Sequence, residues 1–382
     1  MLGLSFLESF ATILLERAIY FFSQERLGYS EAENLALALC FGATYTAGAA
    51  RSHALAARLG ERRALCWTIG ALLVLHSVLA LAPGGWWLPV VFGLIGALEG
   101  AKWPIVESYV AAGLEPEAQQ RAVGHFNVSW ALAVPLALAV SGPLIASGFP
   151  SALFWLATGC NVLALVVLVR FPARIQHLAA LHPSRPLGAA LARYRVLLGA
   201  SRWSMLASYA LMFLLVPLLP EVFRRLGQSV ERATLWASCL DAVRVATFAG
   251  LAFFPGWHGL RLPIVLSAIG LPIGFGAILF GGTLGTVLLG ELAFGVLAGL
   301  SYYAALYYAL VVQNGSVDAG GDHEGLIGVG LVVGPIIGLL GHGLVRLGGT
   351  YQLGLLAAAL PFVLVCWLGA LRSLARWAQA PV

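Results

Sequence analysis

Lys102 is the one lysine in a chain of 382 residues, and it lies three positions after Glu99. Both fall inside an apolar run, LPVVFGLIGALEGAKWPIVESYV (88–110), which also holds Glu107. Residues three apart share a helix face. The two charges can therefore neutralise one another, or Lys102 can hold an anionic group and release Glu99 to take a proton. Ionisable side chains in an apolar span are costly, which makes them functional-site candidates by default. Glu16 and Arg17 pose the opposite case, because adjacent residues point about 100° apart on a helix. Each needs a partner from elsewhere; for Arg17 that partner is Glu99 or a substrate carboxylate. Asp241 and Arg244 repeat the acid-then-base spacing and read as a structural ion pair. Glu291 reads as a protonatable coupling site. Tyr303 and Tyr307 share a face and offer hydrogen bonds with flat apolar contact. Glu8 and Glu107 sit near the ends of their runs, within reach of water, and stay outside this set.

Other chemistries lack their residues. A Walker loop needs a lysine followed by Ser or Thr, and Lys102 precedes Trp103. Asp318, Asp322, His323 and Glu324 cluster in a glycine-rich segment without HExxH or paired-histidine spacing, so they read as gating or loop-capping groups rather than metal ligands. The five cysteines (Cys40, Cys66, Cys160, Cys239, Cys366) are odd in number and scattered through apolar runs, which suits neither a disulfide framework nor a CxxC site. No cofactor or metal is expected. A membrane-embedded transferase would need a reactive residue on a large external or re-entrant loop. Connections as short as APGGWW and GGTLG leave little room for one, so an enzyme is not expected.

The elements that must position these residues follow from composition. The chain is 60% hydrophobic and 10% charged, with a mean hydropathy of +0.89. Soluble domains carry about 25% charged residues, so the solvent here is lipid. The pI of about 9.1 reflects arginines in short loops and not a nucleic-acid partner. A membrane-spanning helix needs about 20 largely apolar residues. About twelve such runs occur: 2–22, 34–53, 64–82, 88–110, 122–146, 151–170, 203–223, 233–254, 263–281, 285–312, 325–345 and 351–371. Free backbone groups find no partner in hydrocarbon, which leaves helices or a closed barrel, and the runs are too long and too unalternating for barrel strands. The first run lacks a basic leader and contains Glu8, Glu16 and Arg17, so it reads as a permanent span rather than a signal peptide.

With the N-terminus inside, fourteen arginines, Arg185 among them, fall in inner connections and five, including Arg346, in outer ones. This asymmetry places both termini in the cytoplasm and Trp86–Trp87 in the outer aromatic belt. The longest polar connection, 172–202, separates an N-terminal half (1–171) from a C-terminal half (203–382). ERLGYSEAEN after the first span is echoed by RRLGQSVERA after the seventh. Ser30 with Glu33 forms a capping box, and Ser229 is placed to cap the eighth helix. The fold class is an all-α polytopic membrane protein of about twelve transmembrane helices in two six-helix halves. Parallel repeats of this kind occur in one large transporter fold.

At this point the chain resembles the major facilitator superfamily. HALAARLGERR (His53 to Arg63) is similar to that superfamily's G-x-L-A-D-R-x-G-R-R/K motif: Arg58, Gly60 and Arg62 match, whereas His53 and Ala57 replace its glycine and aspartate. GHFNVSWALAV (Gly124 to Val134) and HEGLIGVGLVVGPIIGLLG (His323 to Gly341) resemble fifth- and eleventh-helix segments of bacterial members. LLERAIYFF is similar to the ExxERFxYY motif of proton-coupled oligopeptide transporters, with Ile13 and Ala18 as departures and no FYxxINxG stretch. The resemblance implies a secondary active transporter that moves a small solute by alternating access; proton coupling is the expectation drawn from Glu16, Glu99 and Glu291 in apolar surroundings. It implies a cavity lined by helices one, four, seven and ten, and gating by Arg58, Gly60, Arg62, Gly334 and Pro335. Expected partners are a small-molecule substrate, protons and the bilayer, for a monomer in a bacterial inner membrane. A multidrug-type efflux antiporter, a peptide symporter, a membrane-embedded transferase and a non-transporting receptor are the alternatives.

Overall fold

In the computed structural model of the chain, residues 1–110, 116–175, 187–313, 317–345 and 350–379 are described. Arg185 and Arg346 lie outside them, as does the side chain of Asp318. The first seven helices are α1 (Leu2–Glu16), α2 (Ala18–Leu27), α3 (Glu31–Leu59), α4 (Glu61–Leu81), α5 (Leu88–Ser108), α6 (Pro116–Ala146) and α7 (Ala152–Leu168). Seven more follow: α8 (Gly188–Leu215), α9 (Leu219–Arg225), α10 (Val230–Phe253), α11 (Leu262–Phe280), α12 (Leu284–Val312), α13 (Val317–Val345) and α14 (Tyr351–Ala375). Among the described residues, nine helices are long and apolar enough to cross a bilayer, and α7 is a shorter apolar one.

Three boundaries differ from those expected. The first run is broken at Arg17 between α1 and α2, although the Arg17 amide still donates to the Ile13 carbonyl at 3.1 Å. The break sets Arg17 in a backbone geometry (φ −113°) off the ideal helix, next to a partner on a distant helix. Polar connection 172–202 is shorter than read, since α8 begins at Gly188 and carries Arg193, Arg195 and Arg202 on its first turns. Water-facing turns keep their helical hydrogen bonds whatever their polarity, so hydropathy alone sets the boundary too late. For the same reason His323 and Glu324 lie within α13 and not in a loop.

Lipid tails are as apolar as leucine, so helices associate here through close packing over small residues. Helices α3 and α5 show this most fully: Gly48 rests on the Ala97 carbonyl and Gly100 on the Tyr45 carbonyl. Gly42 brings the backbone of α3 onto Leu331 of α13, and Gly334 brings α13 onto Ala210 and Leu214 of α8. Helix α6 packs along α10, completing the contact between the N-terminal and C-terminal helices. At the end away from most arginines, Gln24 donates to Glu221 at 2.9 Å. There Ser30 caps α3: its amide donates to Glu33 Oε2 at 2.8 Å, and the Glu33 amide returns to Ser30 Oγ at 3.4 Å. Ser229 occupies the equivalent place before α10 without a side-chain cap bond.

Candidate functional site

A cavity of about 100 Å³ lies between the N-terminal and C-terminal helices. Helices α1, α5, α8 and α12 contribute to its wall, as do α3, α6, α10 and α13. Its charged centre is a three-member cluster. Asp241 on α10 accepts from Arg17 Nη1 at 3.1 Å and from Arg244 Nη1 at 3.0 Å. All three side chains are buried. Arg17 therefore finds its partner on α10, whereas Glu99 and a substrate carboxylate were the partners expected. The Asp241–Arg244 pair is not self-contained either, because two guanidiniums share one carboxylate. The Met212 sulfur lies at 3.5 Å from Arg17 Nη2 and 3.3 Å from Arg244 Nη1.

Glu16 lines the same cavity and has no hydrogen-bond partner among the described residues. The break after α1 turns its carboxyl toward the open space, one residue from the guanidinium that leads away to α10. Opposite stands an aromatic wall. Trp130 and Phe248 both lie under the Arg244 guanidinium, at 5.5 and 5.7 Å. Trp130 packs edge-on to Tyr302 at 5.7 Å, and Tyr302 meets Tyr209 at 6.1 Å. A cation over aromatic faces contributes about 0.5–2 kcal/mol, more where water is excluded.

Lys102 is fully buried but belongs to a different cluster, beside the cavity and not on its wall. Its ammonium donates to Glu8 Oε2 and lies the same 2.7 Å from Glu99 Oε2. Thr12 and Trp103 also donate to Glu99 Oε2, at 2.8 and 3.1 Å. The bonds to Glu99 all fall on Oε2; Glu99 Oε1 is buried without a partner among the described residues, and Arg17 is held instead by Asp241. The cluster overturns the placing of Glu8 near water, since that side chain is wholly buried. From Leu4 onward no residue of helix α1 is exposed, so distance from the end of the run is a poor measure of exposure.

Glu107, half-buried and one residue from the end of α5, lines the cavity, and its carboxyl is within hydrogen-bond contact of Glu324 from α13. Glu324 also accepts from the Tyr45 hydroxyl at 3.0 Å.

Several expected members stand apart. Glu291 is buried on α12, away from the cavity wall, and neither of its oxygens has a partner among the described residues. Tyr303 and Tyr307 miss the cavity, where Tyr302 takes their place. Tyr307 instead stacks on His258 with centroids 4.0 Å apart and bonds its Nδ1 at 3.1 Å, within a group that includes Trp257 and Tyr308. One residue on a helix is a rotation of about 100°, enough to carry a side chain from the cavity to a packed interface. Of the residues read as gating, Arg58 is exposed, Gly60 turns the chain from α3 to α4 at φ +80°, and Arg62 donates to the Phe171 carbonyl at 3.0 Å. Gly334 and Pro335 lie mid-helix in α13. Among the described residues no group of three His, Cys, Asp or Glu is arranged to hold a metal ion. Sequence reasoning missed Tyr45, Trp130, Tyr209, Tyr302, Glu107 and Glu324 as members of the cavity wall, and Glu8 as a member of the Lys102 cluster. A usable signal existed in α1, where Ser5, Ser9, Thr12 and Glu16 recur at helical spacing on one face.

The sequence profile of the Major Facilitator Superfamily matches residues 1–322. Among solved structures, a bacterial homolog to the human lysosomal transporter Spinster, in its inward-facing and unoccupied conformation, superposes with a TM-score of 0.71 at 14% identity, covering 99% of this chain and 96% of that one. The same homolog in its occupied conformation gives 0.70 at 15% identity, covering 100% and 96%. A point mutant of the nucleoside transporter NupG gives 0.70 at 12% identity, covering 97% and 98%. At such identities the likeness is one of fold. No curated protein matches the chain by sequence.

Proposed function

Because this chain belongs to the Major Facilitator Superfamily, a family of multi-pass membrane proteins whose fold implies transport of a solute, we propose that it is a proton-coupled secondary transporter working by alternating access. In this reading the helices form twelve spans, with α1–α2 and α8–α9 each counted as one. The two halves, 1–171 and 203–382, rock about the cavity, with both termini in the cytoplasm of a bacterial cell and the arginine-rich end facing inward. The observation that carries the reading is the cavity between the halves, with two guanidiniums sharing the Asp241 carboxylate and the Glu16 carboxyl free beside them.

That arrangement suits an organic solute with an anionic group and a flat apolar body. The anion would complete the charge balance of Arg17 and Arg244, and the body would lie against Trp130 and Tyr302. Glu16 is the competing anion: once protonated it would leave the guanidiniums to the solute, which couples the two ligands. Ligand binding shifts a two-state equilibrium only by its differential affinity, and the Arg17–Asp241 pair spans the two halves that would move. A thermal-stabilisation screen over sugars, peptides, organic anions and lipophilic drugs tests the solute class. The hit would then be followed in proteoliposomes under an inward proton gradient. Accumulation by the wild type that is lost in Glu16→Gln is expected. Flux indifferent to pH and to uncouplers would overturn the coupling.

A further inference from the structure

Glu107 and Glu324 come from opposite halves, on α5 and α13, and their carboxyls meet at the arginine-rich end of the cavity. The Tyr45 hydroxyl of α3 holds Glu324 Oε2 at 3.0 Å. Neither carboxyl has an ion pair with Lys or Arg among the described residues; the arginines nearest in the cavity, Arg17 and Arg244, are both engaged by Asp241. A carboxylate is an acceptor only, so two of them cannot meet in a hydrogen bond unless one carries a proton.

The surroundings offer no substitute for that proton. Tyr45 from α3, Glu16 from α1, Tyr209 from α8 and Tyr302 from α12 line the same cavity as the pair. Within α13, His323 is turned edge-on to Tyr302 at 4.6 Å, and Asp322 holds Arg202 of α8 at 2.7 Å. The pair also sits on a seam. About one turn further along α13, Gly328 accepts from Thr46 of α3 at 3.1 Å, and about two turns along Leu331 lies on Gly42.

We propose that the Glu107–Glu324 pair, held by Tyr45, is a proton-binding latch between the two halves. One shared proton keeps α5 and α13 together at the arginine-rich end. Its loss to water on that side leaves two carboxylates that repel and hydrate, and the seam opens. The latch rests on the alternating-access reading above, and it adds a proton site separate from Glu16.

The test needs no substrate, which keeps its failure distinct from failure of the transport reading. Spin labels would be placed at the exposed positions Ala54, near the end of α3, and Ala190, at the start of α8. The full-length protein would have its five cysteines replaced and would be reconstituted in liposomes, with the label-to-label distance measured between about pH 5 and pH 9. The wild type is expected to show one short distance in acid and a longer one growing in as pH rises. The open-to-closed ratio should change by at most about tenfold per pH unit, the limit for one proton. Glu107→Gln and Glu324→Gln keep a hydrogen-bond donor at the contact without a titrating proton, so both should stay closed throughout. Tyr45→Phe should keep the transition and move its midpoint, and Glu16→Gln, which removes a carboxyl lining the same cavity, should also keep it, with the midpoint moved toward acid. A wild-type distance that ignores pH would overturn the latch, as would Gln variants that open with pH like the wild type. Either result would do so even if solute flux proved proton-coupled.

Discussion

Arg17 and Asp241 stand 224 positions apart and form a 3.1 Å ion pair between the N-terminal and C-terminal helices, with both side chains buried. Asp241 also serves Arg244, so removing that one carboxylate strands two buried guanidiniums. Breaking a buried pair on one side costs about 3–5 kcal/mol. Asp241→Asn should therefore unfold at markedly lower temperature in detergent than the wild type. Replacing Arg17 by Met in the Asp241→Asn background should recover part of the loss, because one of the stranded charges is gone. Equal stability of Asp241→Asn and wild type would show that the cluster is hydrated rather than buried.

The Lys102 cluster makes the opposite imbalance, one ammonium between two carboxylates. Lys102→Gln should thus be costly on the same scale, about 3–5 kcal/mol. Glu8→Gln should be mild, because it leaves Lys102 and Glu99 as a matched pair with a neutral donor beside them. The comparison by thermal unfolding is informative because Lys102 lies off the cavity wall. Loss of transport in Lys102→Gln that tracks loss of folded protein would mark it as structural. Loss in fully folded protein would mark it as part of coupling.

Helix contacts of backbone on backbone give a third expectation. Gly100 sits on the Tyr45 carbonyl and Gly48 on the Ala97 carbonyl, so a methyl group at either position must push α3 from α5. Overpacking of this kind costs about 1–3 kcal/mol. Gly100→Ala should lower the unfolding temperature, whereas Gly70→Ala, with open space around it, should not. A Gly100→Ala protein as stable as wild type would mean that α3 and α5 are not held in this register.

These clusters also mark where the sequence could be read and where it could not. The Glu99–Lys102 pair and the Ser30–Glu33 capping box are local, fixed by spacings of three on one helix, and both are visible in the bare chain. The Arg17–Asp241 pair is not, because it depends on which faces α1 and α10 turn toward one another, and hydropathy carries no signal for that rotation. Glu8 is missed for the same reason: nearness to the end of a run says nothing of depth within a bundle. The apolar runs themselves were legible because lipid demands them. The starts of α8 and α13 were not, since polar turns at the water boundary remain helical.

Ser30 gives a pH-dependent expectation outside the membrane-spanning segments. The Ser30 amide and hydroxyl hold the Glu33 carboxyl below its usual value. A carboxyl depressed in the folded state adds stability that is present above its unfolded value and is lost as pH falls through the folded one. Acidification should therefore weaken the cap of α3. Ser30→Ala should remove about 1 kcal/mol of helix-end stability at neutral pH and should flatten the acid side of the stability profile. An unchanged acid limb in Ser30→Ala would exclude the capping box as its source.

The tyrosines of α12 separate packing from binding most directly. Tyr302 faces the cavity, between Trp130 and Tyr209 and within reach of the Arg244 guanidinium's aromatic shelf, while Tyr307 is stacked on His258 away from it. Truncating Tyr302 opens the cavity wall, so Tyr302→Ala should weaken binding of a stabilising solute at least tenfold, about 1.4 kcal/mol, and, because the ring is buried against Trp130, Phe248 and Tyr209, should lower the unfolding temperature as well. Tyr307→Ala removes the ring from a packed aromatic group and should lower the unfolding temperature alone, with solute affinity unchanged. Titration of the two variants with the solute, read by tryptophan fluorescence, distinguishes them. If affinity fell in Tyr307→Ala and held in Tyr302→Ala, the face of α12 that meets the solute would be the other one, and the binding site would have to be moved toward the His258 cluster.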